Sequence, residues 1–279
     1  MPRRHLSGFV SFLCLIGLTA VTQAQELPPD IAASKTIRVA LNSGYPPMET
    51  KDPNTGEFAG FDIDLMAEMA KVLGLKVEYQ DGAFEAMTPA LQSGRVDVIM
   101  SGFYDTPKRR PMFTFIDYLK AGAQFYTLKT LPDIQTLMDL CGKTITTSRG
   151  TSYPQTVKDW SDKNCTPAGK GEITVIIDTD LGQQLTNLKT GRAVAAVQGL
   201  EAVPTIVQMD PNLYRPLGEP FSTALMGMAF QPEATMLRDA FAYALKKTID
   251  DGAYDALIKK WKLDLSAYKE VTFDAGPQP

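Results

Sequence analysis

The chain has 279 residues, 28 basic and 32 acidic, with a formal net charge of −4. That length makes one large or two medium domains. The acidic balance excludes a nucleic-acid binder, which needs a basic stripe.

The N-terminus reads as a signal peptide over residues 1–24. Arg3 and Arg4 give a positive start, Phe9 to Ala20 an apolar core, and Thr22-Gln-Ala24 a small-residue cleavage site. The apolar core, at about 12 residues, is too short to span a bilayer. Cys14 lies inside it without a lipobox, so no lipoprotein is expected. The signal segment carries two Arg and no acid, which leaves 26 basic against 32 acidic residues. It also carries His5, the only histidine, so the mature chain has none for a catalytic triad or metal site. Neither a metal nor another cofactor is expected. Two cysteines remain, Cys141 and Cys165. In an exported protein such a pair reads as a disulfide, here closing a loop of about 25 residues. No later segment is long and apolar enough to cross a membrane, so a soluble mature chain is expected.

Strand and helix patterns then alternate. Ile37–Leu41 reads as a strand. Phe61–Leu73 reads as a helix, with Leu65, Met69, Val72 and Leu73 on one face and Asp62 near its start. Lys76–Tyr79 is a strand, Ala86–Gln92 a short helix, and Val96–Met100 a mostly apolar strand of the kind found in parallel sheets. Thr106-Pro107 has the chemistry of a helix start, with Thr as N-cap and Pro at the first position. Further strands are expected at Thr144–Thr147, Ile173–Ile177 and Ala193–Val197, and long helices at Ala234–Ile249 and Ala253–Trp261. This alternation predicts an α/β fold.

An internal echo divides the chain. Leu91-x-x-Gly94-Arg95 leads through a strand to Gly102, and Leu188-x-x-Gly191-Arg192 leads through a strand to Gly199 in the same register. Lys35-Thr-Ile37 and Lys143-Thr-Ile145 open the two halves. Two similar α/β lobes follow, with a hinge and a ligand cleft between them. The first lobe takes residues 25–122 and 223–279, the second residues 123–222. The chain is expected to cross near Ala121–Phe125 and near Ser222–Met228.

Three groups of residues carry chemistry. Arg109 lies at the carboxyl end of a strand, where open α/β sheets bind ligands, and a guanidinium there grips a carboxylate with two parallel hydrogen bonds. Ser148-Arg-Gly150-Thr151-Ser152 leads into a helix whose N-terminus attracts anions. Paired across a cleft, the two form a clamp for one carboxylate. Tyr45, Phe84 and Tyr104 are aromatics on loops at a sheet edge, placed to stack on a ligand.

Together these motifs resemble the family-3 periplasmic solute-binding proteins of ABC importers. The carriers are Tyr45-Pro-Pro-Met48, Gly60-Phe-Asp-Ile-Asp-Leu65, Pro89 to Asp97, Thr106-x-x-Arg109 followed by Phe113-Thr-Phe115, Gly150-Thr-Ser152, and Asp251-Gly-Ala-Tyr-Asp255 with Lys260-Trp261. The resemblance implies a type II periplasmic binding protein fold and a small anionic or zwitterionic solute, such as an amino acid or a derivative of one. It also implies a periplasmic monomer that meets permease subunits in the inner membrane. Arg109 and Ser152 would hold the α-carboxylate, helped by the Thr151 and Gly102 backbones. Tyr45 and Phe84 would flank the side chain, and Ser101 would offer a carbonyl or hydroxyl. Asn42 stands where members that bind cationic side chains carry an acid.

Two positions depart from the family pattern. Tyr104 stands where Ser or Thr is usual. Leu200 falls at the place of the Asp that pairs with the ligand's α-ammonium. A buried ammonium without a counter-charge is costly. Either Glu201, one residue on, takes that role, or the ligand lacks a free primary ammonium. The fold is shared with periplasmic dehydratases acting on prephenate-like acids, and Glu201 is the candidate general acid of that alternative. A soluble sensory ligand-binding protein is the third reading.

Overall fold

The computed structural model describes residues 26–277; the expected signal peptide lies outside them. After a short helix α1 (Pro29–Ser34), β1 (Thr36–Leu41) buries Ile37, Val39 and Leu41 completely. A small antiparallel sheet follows, of β2 (Gly44–Tyr45), β3 (Glu49–Lys51) and β4 (Phe58–Ala59). Helix α2 (Phe61–Leu73) has the predicted bounds. Gly60 enters it at φ 150°, where a side chain would run into the Met48 carbonyl and come within 2.7 Å of the Glu49 Cα. Gly74 ends it in the left-handed conformation. The helix buries Phe61, Leu65, Met66 and Met69.

β5 (Lys76–Asp81) pairs in parallel with β1 along its whole length, Ile37 opposite Val77. After α3 (Met87–Gln92), β6 (Val98–Ile99) pairs in parallel with the other edge of β1. It is shorter than the expected Val96–Met100. The sheet then turns antiparallel. β7 (Tyr104–Asp105) and β8 (Thr114–Ala121) are followed by β9 (Ala123–Leu128), with only Gly122 between the last two. Thr106-Pro107 opens no helix. The segment closes as two overlapping turns, with the Arg109 and Arg110 amides bonded to the Thr106 carbonyl and those of Met112 and Phe113 to the Arg109 carbonyl. Pro111 has no N–H to extend a ladder here.

β9 belongs to a second sheet. It holds β10 (Thr144–Ser148), β11 (Thr174–Asp178) and β12 (Ala195–Gly199), with α4 (Tyr153–Asn164) and α5 (Leu181–Lys189) between them. After α6 (Val203–Met209), β13 (Tyr214–Leu217) completes the order β11-β10-β12-β9-β13. Expected strands 173–177 and 193–197 thus slide one to two residues forward. β14 (Ala224–Phe230) returns to the first sheet, α7 (Thr235–Asp250) and α8 (Ala253–Trp261) pack on it, and β15 (Ala267–Phe273) adds an edge. The first sheet runs β15-β8-β14-β6-β1-β5, with β7 on β14.

The fold is therefore α/β in two lobes, each around a mixed sheet. The parallel strands are those predicted from sequence; the strands that cross, β8 to β9 and β13 to β14, are antiparallel. At the crossing the Gly122 carbonyl accepts from the Leu200 amide at 2.8 Å, and the Ala123 amide donates to Ser222 Oγ at 2.9 Å. A side chain at Gly122 would run into the Ser222 carbonyl. Cys141 and Cys165 form a disulfide with Cα atoms 5.4 Å apart. It ties the start of β10 to the end of α4.

Candidate functional site

The loop after each parallel strand points into the gap between the two sheets. From the first lobe come Asn42, Tyr45, Phe84, Gly102, Tyr104 and Arg109. From the second come the turn after β10 (Ser148, Arg149, Thr151, Ser152), Tyr153, Thr179 to Leu181, and Gln198. All line one cavity.

Arg109 is held flat by its neighbours. Its guanidinium lies 3.7 Å from the centre of the Phe103 ring and 5.7 Å from that of Phe84. Nη1 donates to the Tyr104 carbonyl at 2.9 Å, and Nη2 reaches across the gap to the Gly150 carbonyl at 3.3 Å. Five donors less these two leaves N–H groups for an anion. Burial lowers the group to about 10, so it stays charged at neutral pH. Ser152 precedes α4 without making a side-chain cap. Thr151 Oγ1 donates to the Ser148 carbonyl at 2.8 Å, which fixes the turn.

Other expected residues are placed differently. The Gly102 amide donates to Asp62 Oδ2 at 2.9 Å, so it is spent inside the first lobe. Ser101 is buried; its hydroxyl donates to Glu49 Oε1 at 2.6 Å and accepts from the Asn42 amide at 2.9 Å. It lies behind the lining. Asn42 Nδ2 donates to the Gly82 carbonyl, which fixes that side chain at the rim.

Leu200 does not line the cavity. Its side chain faces Gly122 at the crossing, 3.3 Å from where a Cβ would sit there. The residue whose side chain would enter the site is Gly199, one position earlier. A Cβ at Gly199 would fall on the Glu201 carboxylate, which curls back into that space, and 2.5 Å from Tyr45 Oη. Tyr45 donates its hydroxyl to Glu201 Oε1. The Tyr153 hydroxyl lies 3.2 Å from that of Tyr45 and 3.1 Å from that of Tyr104. Three tyrosines thus stand in a row in front of one buried acid. Burial pushes the Glu201 carboxyl up to about 7, against the Tyr45 bond, which lowers it. Oε2 has no partner among the described residues. Burial, with the Glu201 charge behind it, raises Tyr45 and Tyr104 well above the ordinary phenol value.

Among the lining residues, Tyr153, Gln198 and Thr179 to Leu181 escaped the sequence reading. Tyr153 follows Ser152 directly, and an aromatic at a helix mouth was the available signal. Gln198 is buried in a polar network: its Nε2 donates to Ser148 Oγ at 3.2 Å and to Gln184 Oε1 at 3.0 Å. Gln184 in turn donates to Ser148 Oγ and accepts from Tyr126. Nothing local in Ala-Val-Gln-Gly announces this.

Two lobes with strand-end loops converging on a cationic, tyrosine-lined cavity define a binding protein that takes its solute between lobes. Residues 37–264 match the model for bacterial extracellular solute-binding proteins, family 3, and the chain belongs to that family. It is 29% identical over 261 residues to an arginine-binding protein of Corynebacterium glutamicum, covering 92% of this chain and 84% of that protein. A solved ancestral arginine-binding protein bound to arginine shares 33% identity, with a TM-score of 0.73 over 81% of this chain and 98% of that one. An ancestral amino acid-binding protein described as a precursor of cyclohexadienyl dehydratase shares 28% identity, with a TM-score of 0.74 over 83% and 97%.

Proposed function

We propose that the chain binds a small carboxylate-bearing solute, an amino acid or amino-acid derivative, and delivers it as a monomer to the permease subunits of an ABC importer. Residues 25–122 with 223–279 act as one rigid lobe and 123–222 as the other, and the signal segment 1–24 is removed on export to the periplasm.

One observation carries this reading. Arg109 from the first lobe and the Ser148–Ser152 turn from the second line the same cavity, and Arg109 already bonds the Gly150 carbonyl across it. A carboxylate between them takes two charge-assisted bonds from the fork on one side. On the other it takes Ser152 and the positive end of α4, a helix of 12 residues. Each lobe supplies half the donors, so the ligand's affinity is greatest when the hinge is closed, and binding shifts the population to the closed form.

The lining carries two guanidinium groups, Arg109 and Arg149, against one carboxylate, Asp180. That carboxylate caps α5 through the Gln183 amide. Asn42 adds no charge. The balance favours an uncharged ligand side chain over the cationic one that relatives are named for. For an α-ammonium, Glu201 is the buried acid behind Tyr45, and Asp180 is the carboxylate on the lining itself. An amine-free ligand offers Glu201 no counter-charge. The relatives are named for binding, so catalysis is not proposed.

The test is a melting-temperature screen of the mature chain against the twenty common amino acids, N-methylated amino acids and amine-free carboxylic acids. At least one carboxylate-bearing solute is expected to raise Tm in the parent and not in Arg109→Ala. Equal stabilisation of both proteins overturns the assignment.

A further inference from the structure

Beyond the residues that match the family model, the chain runs on as β15 and then crosses the outside of the arginine loop. Four residues, Thr272, Asp274, Ala275 and Gly276, bond to the first lobe there. Thr272 Oγ1 donates to Asp117 Oδ2 at 3.0 Å, and the Ala275 amide to the same oxygen at 3.1 Å. Asp274, in the left-handed conformation at φ 52°, turns its carboxylate back to accept from the Phe115 amide at 2.8 Å and Thr114 Oγ1 at 3.2 Å.

The last contact bears on the site. Asp105 and Arg110 form a bidentate ion pair, Nε to Oδ1 at 2.7 Å and Nη2 to Oδ2 at 3.0 Å, with the Asp105 side chain fully buried. Gly276 closes this pair into a ring. Its amide donates to Asp105 Oδ2 at 2.7 Å, and its carbonyl accepts from Arg110 Nη2 at 2.5 Å. A side chain on Gly276 would meet the Asp105 carbonyl and come within 2.9 Å of both Arg110 Nη2 and Asp105 Oδ2. The ring brackets the turn that carries Arg109. Asp105 follows Tyr104, whose carbonyl orients the guanidinium, and Arg110 is the next residue.

We infer that residues 267–277 are a strap that positions the anion-binding turn, with Gly276, Asp105 and Arg110 as positioning residues for Arg109. The strap lies outside residues 37–264, the extent of the family match. The inference uses the proposed role of Arg109 but stands on its own contacts.

Amide hydrogen exchange on the mature chain separates the two. In the parent, the amides of Arg109, Arg110, Met112 and Phe113 are bonded within the turn. Gly276→Val is expected to speed exchange in segment 104–113 at least tenfold and leave α2 unchanged. Asp105→Asn, which keeps the volume and removes the ion pair, should give the same local pattern. Gly82→Ala, at a loop glycine with open space around it, should change neither. Unaltered protection of 104–113 in either strap variant overturns the inference, as does equal loss across the lobe. Normal solute binding by Arg109→Ala would overturn the anchor instead and leave the strap standing.

Discussion

Replacing Arg109 by Ala is the sharpest perturbation of the site. The side chain spends one N–H on the Tyr104 carbonyl and one on Gly150, so a carboxylate meets at least two free donors. Each charge-assisted bond contributes roughly 1.5–3 kcal/mol net. The ligand must also compete with the Gly150 carbonyl, so the lower end applies, about 3 kcal/mol for the pair and about a hundredfold in Kd. The cost to the empty protein is smaller: the cation–π contact with Phe103 is worth about 0.5–2 kcal/mol, or a few degrees of Tm at this size. Calorimetric titration of the best solute from the screen reads the affinity directly. Arg109→Lys keeps the charge without the fork and should lose about tenfold. An Arg109→Ala protein that binds within about threefold of the parent would refute the clamp.

The remaining predictions concern acids and the disulfide. Glu201 rises from an ordinary 4.5 to about 7 in the folded protein, so between those values the native state holds a proton that the unfolded chain has lost. Stability therefore falls as pH rises through that window, by up to about 1.4 kcal/mol per unit; Asp117, pushed to about 7 by burial, adds in the same sense. Thermal melts should show a lower Tm at pH 8 than at pH 5, and Glu201→Gln should flatten part of the slope; a parent that is more stable at pH 8 contradicts it. For a ligand with an ammonium, affinity should climb as pH rises through about 7 and Glu201 ionises, whereas an amine-free ligand should show no such climb; titration across pH 5.5 to 8.5 distinguishes them. Removing the disulfide as Cys141→Ser with Cys165→Ser should cost roughly 3 kcal/mol in denaturant unfolding, from the entropy of a loop of about 25 residues; a loss below about 1 kcal/mol would count against that account.

Much of the framework was legible in the residue order. Helix α2 appears with the bounds that its apolar spacing and Gly74 indicate, because a helix of that length fixes its own periodicity and stop. The parallel strands of both lobes are apolar runs bounded by turn residues, and each was found within about two residues. Arg109, Ser152 and Tyr45 were legible because loops at strand ends converge wherever two such lobes face each other.

The rest depended on long-range contacts. The antiparallel strands β8, β9, β14 and β15 pair with partners far away in the chain, and no local pattern states which. The Thr106-Pro107 start became turns, and the Asp105–Arg110 pair with Gly276 holds that loop from outside. The acid of the second lobe shows the limit most clearly. Counting residues put Leu200 at the site, but the hinge bond between its amide and the Gly122 carbonyl turns it away, and Glu201 folds back into the space that Gly199 leaves. Side-chain type and spacing along the chain determined that two lobes would meet over a cleft that holds Arg109. Which atoms remained free there was decided by the fold, since a donor is available only if no distant residue has already taken it.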